Sequence, residues 1–193
     1  GYHLRFTNAY TGGKTIGVMM VRLFRNLPGI HYQNAIHEQM TPSLTRIGNE
    51  HGLILSSCDV EVLHKGYTDE VMNSRQKNDR NERLFKKQLR QHPDDIYTLY
   101  KFGDFLRRVS GRCREARELL ERCLELVLAG PPELPRQLPY AGEVAALCAL
   151  EYAREGRHER AREIVDVALR RFLPTPNLHY IAASLDLTAG RPD

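Results

Sequence analysis

Three short stretches carry side chains whose types and spacing could do chemistry. NAIHEQ at 34–39 sets His37 beside Glu38, RLFR at 22–25 brackets Leu23 and Phe24 with Arg22 and Arg25, and VLHKGY at 62–67 holds His64 and Tyr67. A carboxylate such as Glu38 can take a proton from a hydroxyl as that hydroxyl attacks an electrophile. The bland alternatives are a surface Glu at a strand end, or one pairing with an arginine such as Arg22 or Arg25. His37 is the next residue along an extended segment and so points to the opposite face. The two are therefore not expected to touch one substrate atom, and His37 either meets substrate from its own side or packs. His64 can ligate a borderline divalent ion through a neutral imidazole, or it can close a sheet. Arg22 and Arg25 can clamp a phosphate through the guanidinium fork, or pair with Glu38. Tyr32, Tyr67 and Phe24 are sheet packing or exposed rings on which a ligand could stack. His31, His51, His92, His158 and His179 share no ligand spacing and are assigned nothing.

Composition limits the classes that could use these groups. At 193 residues the chain has room for one large domain or two small ones. A net charge of +4, with Lys and Arg interleaved among Asp and Glu through the helical half, reads as a solvated helix surface and not as a nucleic-acid footprint. No apolar run reaches the ~20 residues of a membrane span, and no signal peptide opens the chain. Cys58, Cys113, Cys123 and Cys148 form no metal-binding pair spacing. They suit buried small apolar positions in a reducing, cytoplasmic setting. Gly1-Tyr2-His3-Leu4 reads as the middle of a strand, and the expectation is a fragment or a domain cut from something longer.

Two periodicities divide the chain. Up to about residue 67, HLRFTNAY, TIGVMMVRLFR, GIHYQNAIHE and ILSSCDVEVLHKGY alternate in strand fashion, with turn signals at TGG 11–13 and LPG 27–29. The strands at 2–10 and 16–25 flank a Gly-Gly turn and should form a hairpin. TPSLTRIGNEHG is a short helix or loop starting at Thr41-Pro42. From about residue 69, apolar residues recur three and four apart. This predicts helices near 75–92, 95–109, 112–128, 140–155, 158–172 and 177–189, punctuated by Gly111, Gly130, Gly156 and Gly190 and by five prolines.

The helices repeat. Gly156 and Gly190 lie 34 residues apart, the tetratricopeptide period. Gly111 to Gly156 and Ala116 to Ala161 are each 45, the excess being absorbed by the insertion PPELPRQLP at 131–139. Small residues at Gly103, Ala149 and Ala183 in first helices, and at Ala116 and Ala161 in second helices, would let paired helices approach closely. This resembles a tetratricopeptide-repeat array: a half-repeat at 75–92, repeats at 95–130 and 140–174, and a truncated repeat at 177–193.

In the first half, VRLFRNLPGIHYQNAIHE at 21–38 resembles a stretch near the end of the catalytic domain in bacterial family 2 glycosyltransferases. That stretch runs R-L-F-R-N, a turn, an aromatic strand and an apolar residue before His-Glu. VLHKGY resembles the family's closing strand, and KNDRNERLFKKQL followed by Pro-Asp-Asp resembles its passage into tetratricopeptide repeats. The resemblance covers about residues 2–128. It implies an α+β chain: residues 1–70 as a β-rich piece of a GT-A glycosyltransferase domain, and 71–193 as an all-α tetratricopeptide-repeat solenoid. It further implies a nucleotide-sugar donor, a divalent metal (Mn or Mg) in the complete enzyme, and an acceptor hydroxyl. Glu38 and His37 would be the catalytic pair on the acceptor side, Arg22, Arg25 and Tyr67 would bind substrate, and His64 would reach the metal. The donor-binding half, with its Asp-x-Asp strand, is not among these residues, so the chain should not transfer sugar alone. The repeats would bind a protein or peptide. The competing expectation is a non-catalytic scaffold of helical repeats with a β cap.

Overall fold

The computed structural model describes residues 1–34, 36, 38, 40–67 and 75–191, with backbone alone at 11, 65–67, 75, 76, 109 and 110. Alternating sequence on either side of the Gly-Gly turn produces the expected hairpin. Strand β1 (Tyr2–Tyr10) pairs antiparallel with β2 (Thr15–Leu23) across a 3-10 turn at Thr11–Gly13. Strand β3 (Ser56–Tyr67) then adds parallel to the other side of β1, giving the order β2-β1-β3. Between β2 and β3 lies helix α1 (Thr41–Glu50), with Pro42 in its first turn, where a missing N–H costs nothing.

The stretch 29–38, expected as a strand, is not one among the described residues, apart from an isolated bridge at Gln33. Gly29 and Asn34 take φ of 86° and 70°, and a left-handed residue at each point turns the chain out of any strand path. Asn tolerates that conformation because its short side chain can bond locally. The inference that Glu38 and His37 face opposite sides of a strand therefore does not apply. Glu38 sits in irregular chain, and His37 lies outside the described residues.

The loop is tied down at its middle. Ser43 on α1 is buried; its hydroxyl accepts from His31 N at 3.2 Å and donates to His31 O at 2.8 Å. A small core of Val21, Met40 and Leu44, with Phe24, Ile30 and Leu55 against it, joins β2 to α1.

The remaining elements are helical: α2 (Arg75–Gln91), α3 (Ile96–Phe105), α4 (Cys113–Ala129), a short α5 (Leu134–Gln137), α6 (Ala141–Arg154), α7 (His158–Arg171) and α8 (Pro176–Thr188). Asp95 caps α3 by accepting from the backbone N–H groups of Tyr97 and Thr98, and Thr175 caps α8 by accepting from that of Leu178. Such caps contribute about 1 kcal/mol each. The chain divides into two compact units, Gly1–Phe85 and Lys86–Asp193, the division falling within α2.

In the second unit α3 packs on α4, α6 on α7, and α4 and α8 on α6, so successive hairpins of helices stack with α6 between the second helix of the hairpin before it and the first helix after it. One continuous core fills the spaces, with Leu120, Cys123, Val127, Val144, Cys148, Ala161, Val165 and Leu178 fully buried. The close approaches expected at small residues are present at Ala116, Ala149 and Ala161, all 0% exposed. At Gly103 a Cβ would lie 2.8 Å from Leu120 Cγ. Ala183 is instead exposed and its neighbour Ala182 buried. The segment 106–110, expected as plain α-helix, is a π turn ending at Gly111 with φ of 63°. The proline-rich insertion, expected only as a spacer, forms the one-turn α5.

Candidate functional site

The hairpin and the parallel pair fix which side chains share a sheet face. In register, Phe6 stands between Val18 and Val62, and Asn8 between Ile16 and His64. His64 and Asn8 meet: His64 Nδ1 lies 2.9 Å from Asn8 Oδ1, with the ring N–H donating. Asn8 is buried and His64 exposed, so the sheet interior orients an imidazole held at its surface. Arg22 lies with its guanidinium 5.9 Å from the Phe6 ring and donates to Val21 O at 3.0 Å. Thr7, on the other face, donates to Glu61.

Sequence reasoning passed over Asn8. Its signal was there, since Asn is depleted in strands and one in mid-strand invites the question of what it bonds.

Beyond β2 the RLFRN stretch runs into a groove of about 840 Å³. Its walls are mainly apolar, with Leu23, Leu27, Ile30, Ile47 and Leu53 among the lining residues, and Arg25 is a charged member. Arg25 and Glu38 are both exposed and make no ion pair among the described residues. The structural alternative, Glu38 paired with Arg22 or Arg25, is therefore not what the chain forms. The structure brings His64 to Asn8 and Arg22 to Phe6. It does not join Glu38 to any of these. Tyr67 pairs by its backbone with Tyr10 in the β1–β3 ladder, and its side chain is outside the described set.

The donor set was compared with what a divalent ion requires. Among the described residues no three of His, Cys, Asp or Glu converge, and a stable site takes several such ligands. The described residues do not build a metal centre by themselves, and His64 would contribute one ligand.

The helical unit carries its own polar architecture. Tyr100 and Tyr140 stack with centroids 5.3 Å apart, Tyr97 meets Tyr140 edge-on, and the Lys101 ammonium lies 4.3 Å above the Tyr100 ring. Burial pushes the Tyr100 phenol up to about 12, and it lowers the Lys101 ammonium against the opposing pull of Asp104. Tyr152 is nearly enclosed. Arg117 and Arg157 lie over its ring at 4.8 and 4.5 Å, and its hydroxyl donates to Glu121. Glu151, 1% exposed, accepts from Arg154 at 2.9 Å and lies 3.7 Å from Arg107. These contacts bind α4, α6 and α7 together. No helix among the described residues is long and apolar enough to cross a membrane.

No family model and no curated protein matches the chain. Among solved structures, one of MamA matches at 18% identity, covering 62% of this chain and 83% of that one, with a TM-score of 0.29. A likeness that loose carries no argument about what this chain does.

Proposed function

We propose that the chain is the acceptor-side part of a family 2 glycosyltransferase joined to a tetratricopeptide-like helical module. The observation that carries this reading is the uncovered sheet. A parallel strand pair is ordinarily buried on both faces. Here Leu63 on the parallel strand β3, and Ile16, Val18 and Met19 on the antiparallel edge strand β2, are 38–59% exposed, so both faces of the sheet carry uncovered apolar side chains. A larger catalytic domain would cover them. The ordered stretches RLFRN, His37-Glu38 and LHKGY supply the second support, and the groove beside Arg25 the third.

In this reading Glu38 takes the proton of the acceptor hydroxyl as its oxygen bonds to the anomeric carbon of the sugar. The bond from that carbon to the donor phosphate breaks, and the nucleoside diphosphate leaves with the electron pair. Arg22 and Arg25 are the cations assigned to meet its charge. His64, which meets Asn8, is assigned to the metal or diphosphate of the complete enzyme, and His37 and Tyr67 to the substrate side. The Mn or Mg ion of such enzymes is assigned to the donor-binding half, and no step here passes through one.

The test is the reading frame ahead of Gly1 and the activity of its full-length product. A βαβ start with an Asp-x-Asp strand, together with acceptor-dependent release of nucleoside diphosphate from a nucleotide-sugar, is the expected result. A stop codon in place of that half would overturn the proposal.

One observation favours a second reading, a protein-binding scaffold: the helical unit has a continuous core of its own. A full-length protein that binds a protein or peptide partner through the helices, and turns over no nucleotide-sugar, would favour it.

A further inference from the structure

Helix α2 concentrates the charge of the molecule. Its residues 75–91 include seven Lys or Arg against Asp79 and Glu82, a net +5, so the rest of the chain, at +4 overall, is close to neutral. The positive groups are also sorted in space. At 3.6 residues per turn, Arg80, Arg83, Lys87 and Arg90 fall within an arc of about 80° and along about 15 Å of helix. All four are exposed, as is Lys86 beside them. Phe85, 1% exposed, lies on the opposite side of the helix. The apolar side is thus used by the protein, and the charged side stands outward as a straight ridge.

Arg80, Arg83, Lys87 and Arg90 make no ion pair among the described residues, in contrast to the arginines of α4 and α7. There Arg114 pairs with Glu118, and Arg162 with Asp166 and Asp186. Asp79 is the one acidic side chain exposed on this helix among the described residues.

We propose that this ridge docks the protein on an anionic lipid surface. The partner follows from complementarity of charge and shape. A row of exposed cations with no ion pair among the described residues, along one side of a helix, meets a broad plane of phosphates. None of the four lines either groove found among the described residues, so neither groove offers them an acidic peptide to thread. Recognition of single-stranded nucleic acid relies on aromatic platforms for the bases, and the aromatic ring of this helix, Phe85, is buried. Attachment is electrostatic and peripheral, each basic residue near the surface tightening it about fivefold. This inference is independent of sugar transfer and is read by a different assay.

The experiment is sedimentation of the whole chain with phosphatidylcholine vesicles, with and without phosphatidylserine. Binding to the serine-containing vesicles alone, weakening steeply with salt, is expected. Arg83→Ala with Lys87→Ala should loosen it about thirtyfold, two fivefold losses compounded. Arg114→Ala, on another exposed face, should leave it unchanged, and circular dichroism of each variant establishes folding. Absence of binding, equal binding to neutral vesicles, or indifference to the double substitution would overturn the proposal. So would displacement of the vesicles by a smaller charge-equivalent of duplex DNA, which would identify a nucleic-acid surface instead.

Discussion

Replacing Gly103 by alanine sets two effects of opposite sign against each other. In an ordinary helix interior the change stabilises by about 1 kcal/mol, because alanine loses less backbone freedom on folding. At this position the added methyl would lie 2.8 Å from Leu120 Cγ and 3.1 Å from the Ala116 carbonyl oxygen on α4. Leu120 and Ala116 are both 0% exposed, so the leucine has no solvent to move into and the carbonyl belongs to a packed helix. Overfilling such a site costs about 1–3 kcal/mol. The net expectation is a loss of about 1 kcal/mol, read as a lower urea midpoint for the helical circular dichroism signal at unchanged slope. Adding Leu120→Val should return part of the Gly103→Ala loss, leaving the double variant more stable than the summed single effects. A higher midpoint for Gly103→Ala would refute the reasoning, for it would mean that propensity alone decides and that α3 and α4 do not cross closely there.

Other outcomes follow from single contacts. Tyr152→Phe removes the hydroxyl that donates to Glu121 and should cost about 1–2 kcal/mol in the same urea titration. Gly156 holds φ of 75° with open space around its missing Cβ. Gly156→Ala should therefore destabilise through backbone conformation alone, by about 1–2 kcal/mol. Burial raises the Cys123 and Cys148 thiols from 9.0 to about 12. Because the folded values lie above the unfolded ones, the stability that burial confers is complete below pH 9.0 and is lost as pH climbs towards about 12. The urea midpoint should fall across that window, and neither thiol should react with a disulfide reagent at neutral pH until the helices unfold.

The helical half was the more legible because its signals are local and redundant. Gly111, Gly156 and Gly190 mark helix ends by a backbone conformation that glycine adopts at least cost, and they take φ of 63°, 75° and 69° in the structure. Apolar spacing then fixed α3, α4, α6, α7 and α8 to within a residue or two at most ends. The π turn at 106–110 was not legible, since its residues continue the α-helical pattern. In the first half the β1–β2 hairpin was announced by Gly12-Gly13. The parallel docking of β3 on β1 was not, because pairing across some fifty residues leaves no local mark.

The segment 29–38 misled for a physical reason. Its aromatic and β-branched residues favour a strand, yet Gly29 and Asn34 in left-handed conformations break the path. Of the candidate site, the motif residues could be read but not their partners. Asn8 beside His64, and the absence of an arginine beside Glu38, depend on register and loop course that spacing does not encode.

The most direct measurement of the central claim is turnover by the full-length product carrying Glu38→Gln. The substitution keeps shape and removes the base. Acceptor-dependent release of nucleoside diphosphate should be abolished while nucleotide-sugar binding, followed by calorimetry, is retained. Undiminished turnover would contradict the assignment of Glu38 as the group that deprotonates the acceptor.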